Sequence, residues 1–497
     1  VVEEQSEMTQ FLRVGSALLK KDNSTLSRPR TLLDKIWEKA TVVSECADHP
    51  AVIFVDLHVL HEVTSSQAFA ALQKRGLPVL HPERTLALTD HAVPTASPDS
   101  RGRWPFASEQ TRHAVETLQR NSQANGIKCF ALDDDRQGIV HAVVPELGLT
   151  WPATVIACGD SHTSTQGAYG ALAFGIGSSE VAAVLATQTL LMKKPRALRV
   201  ELTGSHKPLG VTAKDIALAV LAEIGVGGAQ GGVIEFCGDA IPLLSMDERM
   251  TLCNQSVEAG ARTGLIAPDA ITFADLQQRT GVPVGTEFAE LCAQWSAFKS
   301  DEGAVYERTW TINIEKLSPR ATYGTLPALS LALDENIPAH PPAGCDEQQW
   351  RAGLEYMAME AGKPLRGTRV QHVFIGSCTN GRLSDLRLAA ELLRGKKISP
   401  DVKMWVVPAS RSIKRAAEAE GLDQVFKSAG ALWRESGCSL CVAMNGDFIP
   451  AGELCVSTSN RNFAHRQGPL SRTILVSPLT AAATALTGQL TDPREVL

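Results

Sequence analysis

Short β-rich apolar runs alternate with alanine-rich helical stretches along almost the whole of this chain, and that alternation limits its fold more than any other feature. Val52-Ile53-Phe54-Val55, Thr154-Val155-Ile156-Ala157, His372-Val373-Phe374-Ile375 and Lys403-Met404-Trp405-Val406-Val407 are apolar runs of strand length. Val181 to Leu191, Leu383 to Leu393 and Ser412 to Ala419 carry helical spacing. Continuous apolar strands separated by helices suit parallel sheets, because crossover helices cover the strands on both faces. The expected fold class is therefore α/β. A length of 497 residues, 44% of them hydrophobic, provides ample core material and carries a length prior of about three domains. Polar or Pro/Gly-rich breaks near Gly204 to Gly210 and Asn336 to Gly344 divide the chain into residues 31-203, 204-335 and 336-497. Residues 1-30 are polar and read as an N-terminal extension, with Thr31 capping the helix after it.

A net charge of −6 supplies no basic field for nucleic acid. No lysine and arginine cluster argues for an anionic membrane surface, and no apolar run approaches the roughly 18 residues of a spanning helix. Eleven cysteines, an odd number dispersed through a long chain, point to a reducing compartment. The expected location is cytoplasmic, with an organelle matrix as the other choice, although Glu3, Glu4 and Glu7 oppose a typical acidic-poor transit peptide.

Three of those cysteines carry the functional reading. Cys378 lies in Gly376-Ser377-Cys378-Thr379-Asn380-Gly381-Arg382, between an apolar strand and a helix, and Cys438 and Cys441 form a C-x-x-C pair. A strand-to-helix turn is where free amides and the helix's positive end stabilise a thiolate. Three thiolates are one short of a closed tetrahedral or cuboidal metal site, and an open position is what a Lewis-acid catalyst needs. A lone C-x-x-C also occurs in structural zinc sites and redox motifs, but no second pair exists here and neither rival uses Cys378.

Other polar constellations are weaker one by one. In Asp90-His91 a carboxylate can fix an imidazole tautomer and stabilise its cation, as a general acid requires, yet the dipeptide alone is as common on ordinary surfaces. Asp160-Ser161-His162 comes after an apolar strand and precedes a glycine-rich stretch suited to close packing. No nucleophile elbow surrounds Ser161. Asn254 and Glu258, four apart, would share a helical face, which a solvated edge would equally explain. Arg461 and Arg466, in Asn460-Arg461-Asn462-Phe463-Ala464-His465-Arg466, offer two guanidiniums suited to carboxylates.

Taken together, these motifs resemble the aconitase superfamily, most closely the isopropylmalate isomerase large-subunit branch. The match runs from about Thr31 onward through Val55-Asp56-Leu57-His58, His61-Glu62-Val63-Thr64-Ser65, Thr89-Asp90-His91, Cys158-Gly159-Asp160-Ser161-His162-Thr163, Gly376 to Arg382 and Ser457 to Phe463. The resemblance implies an aconitase-like three-domain α/β/α architecture around an iron-sulfur cluster. It implies a 4Fe-4S cluster held by Cys378, Cys438 and Cys441, with one iron not ligated by protein. Asp90, His91, His141, Asp160, His162 and Glu258 would then form the acid/base network, with His91 protonating the leaving hydroxyl. His61, Ser161, Arg461 and Arg466 would meet substrate, and Asn254, Asn380 and Asn460 would surround the cluster.

The implied reaction is dehydration and rehydration of a hydroxy-dicarboxylate, interconverting 2-isopropylmalate and 3-isopropylmalate through isopropylmaleate in leucine biosynthesis, without net redox change. Single-chain aconitases carry a further swivelling C-terminal domain that brings a serine base and arginines. Its Ser-Ser-Arg signature is absent from this sequence, so a separate small subunit is expected to complete the site. Departures remain: His465 stands where glycine is common, Gln467-Gly468-Pro469-Leu470 replaces a more glycine-rich run, and Leu326 replaces a commonly polar residue. A paralogue acting on another alkylmalate or citraconate-type diacid would keep the same cluster residues, since few apolar contacts need change to shift preference. An iron-responsive RNA-binding protein, known in one branch of the superfamily, fits the acidic balance poorly.

Overall fold

The computed structural model describes residues 28–497. Apart from residues 28–30, the N-terminal extension lies outside the described residues. Among the described residues the chain builds three wholly parallel sheets. The first runs Lys128–Phe130, Thr85–Leu88, Leu57–Leu60, Val155–Cys158, Leu172–Gly175. The second runs Thr263–Ile266, Val233–Cys237, Ala197–Thr203, Arg308–Asn313. The third runs Leu432–Trp433, Lys403–Val406, His372–Ile375, Leu454–Ser457, Arg472–Leu475. Residues 197–203 thus pair with strands that lie beyond the Gly204 to Gly210 break.

Strand order explains why these sheets create a site. In the first sheet the chain moves outward on one side of Leu57–Leu60 and then returns to add Val155–Cys158 on the other. The third does the same around His372–Ile375. Such reversals leave a crevice at the carboxyl ends of the two central strands, because the connecting loops diverge there. One buried core joins the first and second sheets, from Leu57 and Leu86 to Val200 and Ile234, while a separate core supports the third.

Local signals agree with most elements. Thr31 caps Leu32–Ala40 through a reciprocal capping box with Asp34. The helix after Cys378 occupies Leu383–Leu393, and the strand before it His372–Ile375. The expected helix Val181 to Leu191 is different: it spans Ser178–Thr187 and gives way to a strand, Thr189–Met192. That strand pairs antiparallel with Ala51–Phe54, and Gln188, at φ 54°, donates its side-chain amide to the Val55 carbonyl at 2.9 Å. A partner more than 130 residues away in sequence thus ends the helix.

Candidate active site

Strand ends deliver most of the chemistry. His61 comes after Leu57–Leu60, Asp90 and His91 after Thr85–Leu88, and Asp160, Ser161 and His162 after Val155–Cys158. Cys378 comes after His372–Ile375, and Asn460 and Arg461 after Leu454–Ser457. Asn254 lies in the last turn of the helix Met246–Gln255, which packs beside the second sheet, and Glu258 sits in the next, tighter turn. Both side chains point inward, so the solvated helix edge is ruled out for this pair.

Asp160 organises the polar half. Its carboxylate lies 3.2 Å from His91 Nε2, 3.3 Å from His141 Nε2 and 3.3 Å from His162 Nδ1. His162 Nε2 meets Glu258 Oε1 at 2.9 Å, and Arg461 donates to that oxygen and to Ser161 Oγ at 2.8 Å each. His91 Nδ1 pairs with Asp90 Oδ1, and the ring stacks on His61 with centroids 4.6 Å apart. The expected acid/base residues, with Ser161 and Arg461, therefore form one connected network around Asp160.

The electrostatics follow from this sharing. Burial would lower the His91 pKa, but Asp90 and Asp160 together hold it well above the usual imidazole value. Burial would raise Asp160, yet His141, His162 and His91 hold it well below the ordinary carboxylate range. Glu258 is likewise held down against burial by His162 and Arg461. His141 goes the other way: burial dominates and lowers its pKa despite Asp160. Two adjacent imidazoles are thus pushed apart, one toward the cation and one toward the neutral ring.

The three cysteines are free, buried and close enough to act on one another electrostatically. Asn254 donates Nδ2 to Cys378 Sγ at 3.2 Å, and Asn460 touches both Cys378 Sγ at 3.6 Å and Cys441 Sγ at 3.3 Å. Cys438 joins the polar half through its main chain, donating to the Asp90 carbonyl at 3.1 Å. Ser377 and Ser439, each beside a cysteine, hold φ at 73° and 48°. L-residues adopt that region at a cost, and such strain collects at functional sites.

The donor set fits an iron-sulfur group. Burial pushes the Cys378 and Cys438 thiols up, so the free thiolates are unfavourable until a cation compensates them. Amide donors already aim at the sulfurs, and buried polar atoms in the same region, His141 Nδ1 and Asn380 Oδ1, have no partner. Unsatisfied buried atoms of this kind call for a bound group.

Two expected residues stand outside the network. Asn380 donates to Asp385 at 3.0 Å in its own segment. Arg466 stacks over Phe463, its guanidinium carbon 5.1 Å from the ring centroid, with a buried and unpaired Nε. Two further residues, inside motifs already quoted but without an assigned role, support the site. Glu62 accepts the backbone N–H groups of Asp90, His91 and Ala92 at 3.2, 2.8 and 2.6 Å. Arg382 donates to the carbonyls of Cys378 and Thr379 at 2.6 and 2.7 Å. A charged residue inside each motif was the available signal; the main-chain partners of Glu62, about 30 residues away, gave none.

Comparison with known proteins agrees in extent and kind. Residues 34–488 match the model of the aconitase family (aconitate hydratase). The chain is 52% identical over 469 residues to a 3-isopropylmalate dehydratase large subunit of Roseiflexus castenholzii, covering 94% of this chain and 99% of that one. It is 51% identical over 474 residues to one of Anaeromyxobacter dehalogenans, covering 95% and 98%. The crystal structure of Thermococcus kodakaraensis aconitase X overlaps 91% of this chain and 92% of that one at 12% identity with a TM-score of 0.45, too loosely to bear on the assignment. With the family match spanning nearly the whole chain and half of its residues shared with those relatives, the protein belongs to the aconitase family.

Proposed function

We propose that this chain is the large subunit of a 4Fe-4S hydro-lyase that interconverts 2-isopropylmalate and 3-isopropylmalate by dehydration and rehydration through isopropylmaleate. The observation that carries this reading is the single network in which Asp160 is shared by His91, His141 and His162 beside three convergent thiols. The names of the two half-identical relatives support the substrate and the subunit type. The family implies a 4Fe-4S cluster, which Cys378, Cys438 and Cys441 would hold with one iron left unligated by protein.

When bound, that cluster supplies Lewis-acid polarisation of a substrate hydroxyl and carboxylate without redox change. The protein's own residues do the rest. His91 holds a proton at Nε2, with Asp90 fixing the opposite nitrogen, and delivers it to the departing oxygen. Glu258 and His162 form a relay that keeps Asp160 charged and can return protons during rehydration. Arg461, oriented by Glu258 and Ser161, has N–H groups left over for a carboxylate, and Arg466 brings an unpaired Nε. A small subunit carrying the swivelling domain supplies the base for the carbon-bound proton. Among the described residues no helix is long and apolar enough to cross a membrane, and a cytoplasmic setting suits the free cysteines.

The test is anaerobic reconstitution with iron, sulfide and a candidate small subunit, assayed across 2-isopropylmalate, citraconate-type and other alkylmalate diacids. A fully loaded cluster with no turnover of any hydroxy-diacid would sink the enzymatic reading, and a preference for another diacid would reassign the substrate. Cys378→Ser, Cys438→Ser and Cys441→Ser should each lower bound iron; unchanged iron in Cys441→Ser would refute the ligand set.

A further inference from the structure

Lys214 occupies a place that elementary electrostatics disfavours twice. It is fully buried, and it sits in the first turn of the helix Ala213–Ile224, where the helix's own positive end repels a cation. Its Nζ hydrogen bonds go to main-chain carbonyls, Thr458 at 3.1 Å and Ser459 at 2.5 Å, not to a carboxylate. Burial pulls its ammonium down to about 7, and the largest opposing influences are Cys441 and Cys378, ahead of Asp385 and Glu258.

The two carbonyls matter because they immediately precede two site residues in the chain. Asn460 is the next residue and contacts Cys378 Sγ and Cys441 Sγ; Arg461 comes after it and bonds Glu258 and Ser161. A tie at Thr458 and Ser459 therefore sets the direction of two successive side chains, one toward the sulfurs and one toward the substrate side. The tie crosses between sheets, since Lys214 belongs to the helix beside the second sheet and the carbonyls to a strand end of the third. A lone lysine in an alanine-rich helix carries no sequence signal for such a role.

We propose that Lys214 is a positioning residue for the cluster cradle: its Nζ pins the main chain ahead of Asn460 and Arg461, and its charge offsets that of the cysteine thiolates. This rests on the reading that the site holds a 4Fe-4S cluster. Removing the charge makes reduction of an anionic cluster harder, so its midpoint potential falls. Releasing the turn lets Asn460 and Arg461 drift, which loosens iron and weakens substrate binding.

The experiment compares wild type, Lys214→Met and Lys214→Arg after anaerobic reconstitution with the small subunit. Six quantities are read: iron and sulfide per chain, the rate of iron loss to a chelator, the midpoint potential by EPR-monitored titration, and KM and kcat for 3-isopropylmalate. Lys214→Met is expected to lose iron about 10- to 100-fold faster, to titrate at a lower potential, and to raise KM by a larger factor than it lowers kcat. Lys214→Arg should bring the potential back toward wild type. If Lys214→Met does not fold, Lys214→Gln replaces it with the same expectations. A neutral variant with wild-type potential, iron-loss rate and KM overturns the proposal, even if its melting temperature falls. A wild-type chain that takes up no iron overturns this proposal and the cluster reading together, whereas a loaded, active wild type beside an indifferent variant overturns this proposal alone.

Discussion

Asp160 shows how much one residue can carry. Three imidazoles share its carboxylate, so Asp160→Asn should cut turnover by about 10²-fold or more while leaving bound iron near wild type, measured by steady-state assay alongside iron content. His58 is the opposite case, a buried histidine in the strand Leu57–Leu60 whose two ring nitrogens have no partner. Burial lowers its pKa to about 3. An unfolded His58 gains a proton below pH 6.5 while the folded one stays neutral, so acidification favours unfolding between 6.5 and about 3. This amounts to up to about 2 kcal/mol at roughly pH 5. His58→Leu should lose less melting temperature between about pH 7 and about pH 5 than wild type does, and an equal loss would assign the acid sensitivity elsewhere. At His465, where the family resemblance led to an expectation of glycine, φ is 67°. The imidazole compensates by accepting from Leu470 N at 2.9 Å, and the His465 N–H donates to the Tyr356 hydroxyl at 2.9 Å. The positive φ had no local signal in the sequence, and its compensation depended on a tyrosine more than 100 residues away.

Among the elements, the 3₁₀ segment Ser161–Tyr169 does most to place the site, since it carries Ser161 and His162 and presses on the second sheet. Gly167 permits that approach. A Cβ there would come 1.7 Å from the Gly264 carbonyl oxygen, so the segment and the strand Thr263–Ile266 would have to part. Gly167→Ala should cost about 1–3 kcal/mol and reduce turnover through displacement of His162; differential scanning calorimetry and the assay check both. The glycine-rich run after His162 was legible as close packing, but which strand it met was not. The helix ending at Thr187 teaches the same lesson, because periodicity continued past the point where pairing with Ala51–Phe54 took over.

Across the whole molecule, the site draws on all three parallel sheets and the helices beside them, with Asp90 and Asp160 from the first, Asn254 from the second and the cysteines from the third. A group bound by the folded state alone stabilises it by mass action. Anaerobic reconstitution should therefore raise the melting temperature of the chain as one cooperative step, and chelation should reverse the gain. A melt that splits, with the cysteine-bearing third sheet alone stabilised, would mean that the cluster does not bind the sheets together.

Local composition was enough for the α/β class and for strand–turn–helix placement of Cys378, because apolar periodicity and turn chemistry act over a few neighbours, whereas the ligand set was implied by the family resemblance. Strand order, the inward aim of Asn254 and Glu258, the sharing of Asp160 and the tie from Lys214 to Thr458 and Ser459 came from folding alone. Each depends on contacts between residues far apart in the chain, and no local spacing encodes which distant partner a side chain or carbonyl will meet.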